Sequence, residues 1–169
     1  SFTDGLSNTI MFSERSMGSG ANLRVAPPTR SDIVTSTGRP TGMPLPDVLF
    51  NMCQAYLPAP DPAGFHFNSA GRWLGGDDFS NGWPFGFYSS TMYNHVAPPN
   101  WKSIDCGARS AIPDAPGEHA IVSARSYHIG GVNVAASDGS TRFVNDSIDL
   151  QIWRAIGSRN GGETLQDVE

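Results

Sequence analysis

The dipeptide Asp138-Gly139 constrains the fold of this chain more than any other feature, because a run of β-branched and alternating residues lies on each side of it. Asp-Gly tolerates the two positive φ angles of a type I′ turn, so the stretch predicts a β-hairpin with these two residues as its loop. Val134 then faces Phe143 on the opposite strand. We expect one face of the hairpin to pack on the core, with the side chains of Val132, Val134, Ala136, Thr141 and Phe143.

Length and composition limit the class of protein. The 169 residues predict one globular domain, residues 1–169, with its own core. Glycine fills 19 positions, proline fills 13 and only 16% of the residues are charged, which favours a loop-rich, mainly β protein. The net charge is −5 and Lys102 is the sole lysine, so neither nucleic acid nor an anionic membrane surface is an expected partner.

Apolar residues at helical spacing predict two helices. Residues 46–56 form the first, whose apolar stripe consists of Val48, Leu49, Met52, Cys53 and Tyr56. Residues 149–156 form the second, which begins at a cap by Asp149 or Ser147 and ends at Gly157 as the C′ residue. We expect this second helix to cover the sheet, with Ile148, Ile152, Trp153 and Ile156 at helical spacing.

The remaining chain predicts strands and loops. Residues 9–14 predict a strand in which Ile10 and Phe12 point the same way, and residues 118–125 predict another strand. Residues 17–46 lack periodicity and predict an irregular loop. The predicted fold class is therefore α+β, mainly an antiparallel β sheet with two short helices and long Gly/Pro-rich loops.

His128 and Asp138 form the most tempting catalytic or metal-binding pair, but the hairpin separates them. A strand between them, at about 3.3 Å per residue, places the two side chains about 20 Å apart. A proton or a single metal ion cannot be shared over that distance. We therefore assign structural roles to both: Asp138 and Gly139 shape the turn, and His128 hydrogen-bonds loop backbone where the strand begins. No catalytic residue is predicted, and no zinc motif occurs.

The aromatic residues between positions 65 and 101 leave two interpretations open. Trp73, Trp83 and Trp101 lie among glycines, where rings can stack on sugars or meet another protein, although large rings in a loop-rich protein more often fill the core. Asp77 and Asp78 lie in an oxygen-rich segment that is compatible with calcium, but a turn with solvated carboxylates explains the same residues. No other cofactor is predicted.

The two cysteines, Cys53 and Cys106, also leave two interpretations open: a disulfide, or two separate buried thiols.

Several segments together resemble a known family. They are His128 followed after nine residues by Asp138-Gly139, residues 147–163, residues 3–10 with Glu14, and the segment from Pro98-Pro99-Asn100 to Cys106. The pattern resembles the prepilin-like domain of unknown function 1559, which is best known from planctomycetes and ends in a His-x9-Asp-Gly signature. These pieces span nearly the whole chain.

The resemblance implies a fold like the globular head of a pseudopilin. It also implies an upstream prepilin signal and hydrophobic helix, so we expect this chain to be a fragment or a processed product. An exported location follows, in the periplasm, the cell envelope or at the cell surface, and favours a disulfide between Cys53 and Cys106. Some pseudopilins bind calcium, for which Asp77 and Asp78 are the candidates here.

The function expected from the resemblance is non-enzymatic. The chain would be a structural or assembly subunit, as in type II secretion-like systems, and its partners would be copies of itself, other pilin-like proteins or envelope proteins. The alternative is an extracellular carbohydrate-binding module that uses Trp73, Trp83 or Trp101.

Overall fold

The computed structural model describes residues 2–18, 31, 33–36, 45–54, 91–109 and 116–162. The elements of this part, in chain order, are β1 (Ile10–Ser13), β2 (Ile33–Ser36), α1 (Pro46–Gln54), β3 (Asp105–Arg109), β4 (Pro116–Ile121), β5 (Gly131–Ala136), β6 (Thr141–Asn145) and α2 (Leu150–Ile156). One sheet has the order β1-β5-β6 and is antiparallel throughout. The other has the order β2-β3-β4, in which β2 runs parallel to β3 and β4 antiparallel to it. The predicted α+β class is confirmed.

The β5–β6 hairpin exists, but the predicted register is wrong by one residue. Val134 pairs with Arg142, and Val132 pairs with Val144. A one-residue shift turns every side chain of a strand to the opposite face. Val144 is therefore buried on the core side of β6, whereas Phe143 and Thr141, which we expected there, are exposed.

A three-residue loop causes the shift. Ser140 accepts a hydrogen bond from the Ala136 backbone at 2.8 Å, which leaves residues 137–139 as the loop, and Gly139 donates back to the Ala136 carbonyl at 2.9 Å. Gly139 has a φ of +87°, whereas Asp138 has no positive φ. This geometry is a type I turn followed by a left-handed residue, which Asp-Gly suits as well as it suits the predicted type I′ turn.

Three other strands also depart from the predictions. The register of β1 on β5 shifts between Ile10 and Phe12, so Ile10 is buried while Phe12 is exposed, and the two do not point the same way. Strand β2 lies inside the segment 17–46, which was predicted to be an irregular loop. Strand β4 ends at Ile121, because the following residues bond other segments: Val122 and Ala124 accept from the backbone of Asn94 and Asn100.

Helix α1 packs one side on the second sheet, and its buried residues contact a first core cluster. Leu49 and Cys53 are buried in that cluster together with Ala97, Trp101, Cys106 and Ile121. Val48 is exposed, so its place on the predicted stripe is wrong; Tyr56 and the side chain of Met52 lie outside the described residues. Cys53 and Cys106 form a disulfide with their Cα atoms 5.6 Å apart, which confirms the predicted bond between α1 and β3.

Helix α2 seals the β1-β5-β6 sheet. Asp149 caps it as predicted, since its carboxylate accepts from the backbone of Gln151 at 2.8 Å and of Ile152 at 3.1 Å. Trp153 is fully buried in the second core cluster, and its ring nitrogen donates to the Ala97 carbonyl at 2.8 Å. The other members are Ile10, Ala124, Val132, Val134, Ala136, Val144 and Ile156.

Gly157 ends α2 for a different reason from the one predicted. Its φ is −86°, so it is not a left-handed C′ residue. A Cβ atom at this position would lie 2.4 Å from Cγ of His95, whose ring stacks on Trp153 with centroids 3.9 Å apart. Glycine is required here by the close approach of the His95 ring.

Candidate functional site

The two polar residues of the sequence signature lie at opposite ends of β5. His128 precedes the strand, and Asp138 lies in the loop that follows it. Asp138 accepts from the backbone of Ser140 at 2.9 Å and from its hydroxyl at 2.6 Å, and these hydrogen bonds lower the pKa of the Asp138 carboxyl. Asp138 therefore stabilises the hairpin loop, and its hydrogen bonds are made within that loop.

His128 pairs instead with Glu14, at the end of β1. Nε2 of His128 lies 3.0 Å from Oε1 of Glu14, and since a carboxylate only accepts, this nitrogen carries the hydrogen. The expectation that the His128 side chain bonds loop backbone is therefore wrong; its backbone nitrogen is held by the Ser126 hydroxyl at 2.9 Å. Glu14 is part of the family pattern, but no local sequence signal indicates that β1 pairs with β5 and brings these residues together.

The Glu14 carboxylate has several donors. The backbone nitrogen of Asn133 donates at 2.8 Å and its side chain at 3.1 Å. Partial burial by itself would raise the pKa of Glu14, but the hydrogen bonds from Asn133 and Ser126 and the charge of His128 together lower it below its ordinary value. Glu14 therefore fixes the start of β5 as an ionised carboxylate.

Asn100 ties the same region together from another segment. Its side-chain oxygen accepts from the Ser126 backbone at 2.7 Å, and its amide donates to the Gly131 carbonyl at 3.1 Å and to Asp146 at 2.9 Å. Asn100 has a φ of +50°, a left-handed conformation that asparagine tolerates better than most residues. Through these hydrogen bonds the Pro98-Pro99-Asn100 motif holds the segment before β5 in place.

A buried ion pair lies beneath the Pro98-Pro99-Asn100 motif. Nη2 of Arg125 lies 2.9 Å from Oδ1 of Asp105, and Asp105 also accepts from Trp101 at 3.0 Å and from the Ser123 hydroxyl at 2.6 Å. Arg15 is close by. Burial lowers the pKa of Arg15 to about 10, and the positive charge of Arg125 adds to this shift, whereas the negative charge of Asp105 opposes it. Because both charges of the Arg125–Asp105 pair are hydrogen-bonded, removing one partner would leave a costly buried charge.

A cleft opens above these residues. It consists of two adjoining hollows of about 710 and 430 Å³, which share Ser16, Arg125, Ser126, Tyr127 and His128 as lining. The smaller hollow also reaches Asn100, Lys102 and Asp146. We call residues 126–130 the His128 turn. On this turn the side chains of Tyr127 and Ile129 are 88% and 99% exposed.

The described residues of the site do not form the arrangement that nucleophilic catalysis requires. The Ser126 hydroxyl bonds the His128 backbone and Glu14, and no hydroxyl or thiol in the described part of the chain bonds the His128 ring. Within residues 2–18, 31, 33–36, 45–54, 91–109 and 116–162 no three His, Cys, Asp or Glu side chains lie close enough to hold a metal ion. What the site offers is hydrogen-bond donors in a cleft and two exposed apolar side chains beside it.

The other predicted site residues divide into two groups. Trp101 is buried and bonds Asp105, so it presents no open ring face to a sugar. Trp73 and Trp83 lie outside the described residues, as do Asp77 and Asp78.

None of the helices in the described part of the chain combines the length and apolar character needed to cross a membrane.

Comparison with family models identifies a family for this chain. The model of a family described as "Protein of unknown function (DUF1559)" matches residues 1–151. No curated protein matches the chain. No solved structure matches it either. Since the family match covers most of the sequence, including Glu14, Asn100, His128 and the hairpin, the chain belongs to the DUF1559 family.

Proposed function

We propose that this chain is a non-enzymatic, exported subunit of the cell envelope or surface that assembles with copies of itself or with other pilin-like proteins. The observation that carries the proposal is the exposure of Tyr127 and Ile129, two large apolar side chains that are 88% and 99% exposed on the His128 turn. Aromatic and aliphatic side chains of this kind anchor protein interfaces when a partner buries them.

The rigidity of the His128 turn favours such a role. The turn is held by the His128–Glu14 pair, by the hydrogen bond from Ser126 to Asn100, and by the Asp146 backbone, which donates to the Gly130 carbonyl at 2.8 Å. A side chain on a fixed backbone loses little conformational freedom on binding. Burying the side chain of a residue such as Ile129 stabilises an interface by roughly 1.5–3 kcal/mol.

Two further features support export and a structural role. The disulfide between Cys53 and Cys106 is buried and links α1 to β3, and such bonds persist in oxidising compartments. Three polar residues of the family pattern hold backbone in place: Glu14 fixes β5, Asn100 holds the His128 turn and Asp149 caps α2. A pattern of residues that fix the backbone suits a subunit with a structural role.

Sedimentation velocity over a range of protein concentrations tests the proposal. We expect the wild-type chain to associate, and the double variant Tyr127→Ser, Ile129→Ser to associate at least about tenfold more weakly. Leu45→Ser is the matched control, since Leu45 is apolar and 72% exposed but lies before α1. A monomeric wild type, or a double variant that associates like the control, would contradict self-assembly through the His128 turn.

A further inference from the structure

Strand β6 is an open edge of its sheet. In the described part of the chain it pairs with β5 alone. The Asp146 backbone donates to the Gly130 carbonyl at 2.8 Å, so the even-numbered residues of this ladder direct their backbone groups toward β5. The N–H groups of Thr141, Phe143 and Asn145 therefore point away from the sheet, and none of them has a hydrogen-bond partner among the described residues.

This edge lacks three features that block pairing with a further strand. It contains no proline and no lysine, and it pairs with β5 without a bulge; its single charge is that of Arg142. The exposed ring of Phe143 does not cover the edge either. A Cβ atom at Gly131 would lie 2.6 Å from Cε1 of Phe143, so the ring leans over the sheet. An edge strand of this kind can accept a strand from another chain.

Two opposite charges at this edge have no ion-pair partner among the described residues. They are Arg142 and Asp146, which lie on the same face of the ladder but about 13 Å apart, too far to pair within one chain. Nε and Nη2 of Arg142 are buried, which leaves Nη1 of this half-buried residue to meet solvent. The Asp146 carboxylate is exposed and accepts a hydrogen bond from Asn100.

A twofold axis at Val144 brings these charges together between two copies of the chain. An antiparallel second β6 centred there places Arg142 of each copy opposite Asp146 of the other. It also places Phe143 opposite Asn145, so that their outward backbone groups exchange hydrogen bonds. The two nearest alternatives are poorer: an axis at Phe143 places Arg142 opposite Val144, and an axis at Arg142 places two arginines opposite each other. The edge is therefore complementary to itself in one register.

We propose that a second copy of this chain pairs edge to edge with β6, antiparallel and centred on Val144, through backbone hydrogen bonds and the ion pairs between Arg142 and Asp146 of the two copies. A twofold contact of this kind uses the same patch on both chains and closes as a dimer. The inference deepens the proposed assembly role and rests on it for the identity of the partner, but it uses a surface other than the His128 turn. Two different contacts on one chain link such dimers into larger assemblies.

Sedimentation velocity of charge-reversed variants tests the contact in the Tyr127→Ser, Ile129→Ser background, which leaves the β6 edge intact. We expect this background to form dimers, and Arg142→Glu or Asp146→Arg to weaken dimerisation at least about tenfold, since like charges then face each other. An equimolar mixture of these two variants should dimerise again, because every charge then faces its opposite. Arg159→Glu, which reverses an exposed charge after α2, is the matched control and should dimerise like the background. A mixture that stays monomeric, or a control as weak as Arg142→Glu, would overturn the proposal.

Amide hydrogen exchange of the same background at low and high protein concentration tests the register without any change in β6. We expect the N–H groups of Phe143 and Asn145 to exchange at least about tenfold more slowly in the concentrated sample, and those of Arg142 and Val144, which face β5, to change little. Unchanged exchange at Phe143 and Asn145 would overturn the proposal even where a charge variant misfolds. The two assembly surfaces fail separately: a monomeric background rules out pairing through β6, whereas a background that associates like the wild type contradicts assembly through the His128 turn.

Discussion

The buried imidazole of His95 makes the stability of this protein depend on pH in a defined window. Nδ1 of His95 lies 2.7 Å from the Trp153 carbonyl, which only accepts, so this nitrogen carries the hydrogen. Nε2 lies 3.2 Å from the hydroxyl of Tyr93 and accepts from it, since burial raises the pKa of Tyr93 and keeps that hydroxyl protonated. Both nitrogens of the neutral ring therefore have partners.

Burial lowers the pKa of His95 from 6.5 to about 4, although the hydrogen bond to Trp153 opposes the shift. Between these values the unfolded chain binds a proton that the folded chain does not, so stability falls as the pH falls. The contribution is complete above pH 6.5 and is lost progressively down to about pH 4. At 1.36 kcal/mol per pKa unit, the loss is about 3 kcal/mol.

Urea unfolding between pH 7 and pH 4 measures this loss, with far-UV circular dichroism as the readout. His95→Asn is the matched variant, because its amide can still donate near the position of Nδ1 but does not titrate. We expect the variant to be less stable at pH 7 and to lose much less stability over the window than the wild type. Parallel pH profiles for the two proteins would refute the assignment of the buried neutral ring.

Three further outcomes follow from the core and the hairpin. Titration of the unfolded, unreduced chain should find no reactive thiol, and reduction of Cys53–Cys106, separated by 53 residues, should destabilise the fold by about 4 kcal/mol in urea unfolding. Trp153→Ala should cost about 3–5 kcal/mol, because the ring is fully buried; an unchanged melting temperature would contradict that burial. Gly139→Val should cost about 1–3 kcal/mol, since φ is +87° there and a Cβ atom would meet no neighbour, so only backbone strain opposes it. Gly139→Asn, which tolerates this conformation, should cost much less in the same denaturation assay.

The hairpin shows what local sequence determines and what it leaves open. Asp138-Gly139 and the flanking apolar runs predict two paired strands, and these strands form. The dipeptide fits both a two-residue loop and a three-residue loop with Gly139 left-handed. Because β6 contains apolar residues on both faces, Phe143 and Val144, its pattern does not decide which of them is buried. Packing against α2 and β5 decides it.

Contacts between distant segments were the least predictable. The spacing of Trp153 and Ile156 revealed the buried face of α2, because helical periodicity is local. The pairing of His128 with Glu14 joins residues 114 positions apart and depends on the order of strands in the sheet, for which no local pattern exists. Strand β3 contains Cys106, Gly107 and Ala108, which do not alternate, and its parallel partner β2 lies in a segment without periodicity.

Site-specific photo-crosslinking in the cells that naturally make this protein is the most direct measurement of assembly through the His128 turn. A photoreactive amino acid replaces Tyr127 in one variant and Leu45, another exposed apolar residue, in the control. We expect illumination to link position 127 to a second copy of the chain or to a pilin-like envelope protein, identified by mass spectrometry, with little product from position 45. Equal yields from the two positions, or no protein adduct at position 127, would contradict an assembly surface at this turn.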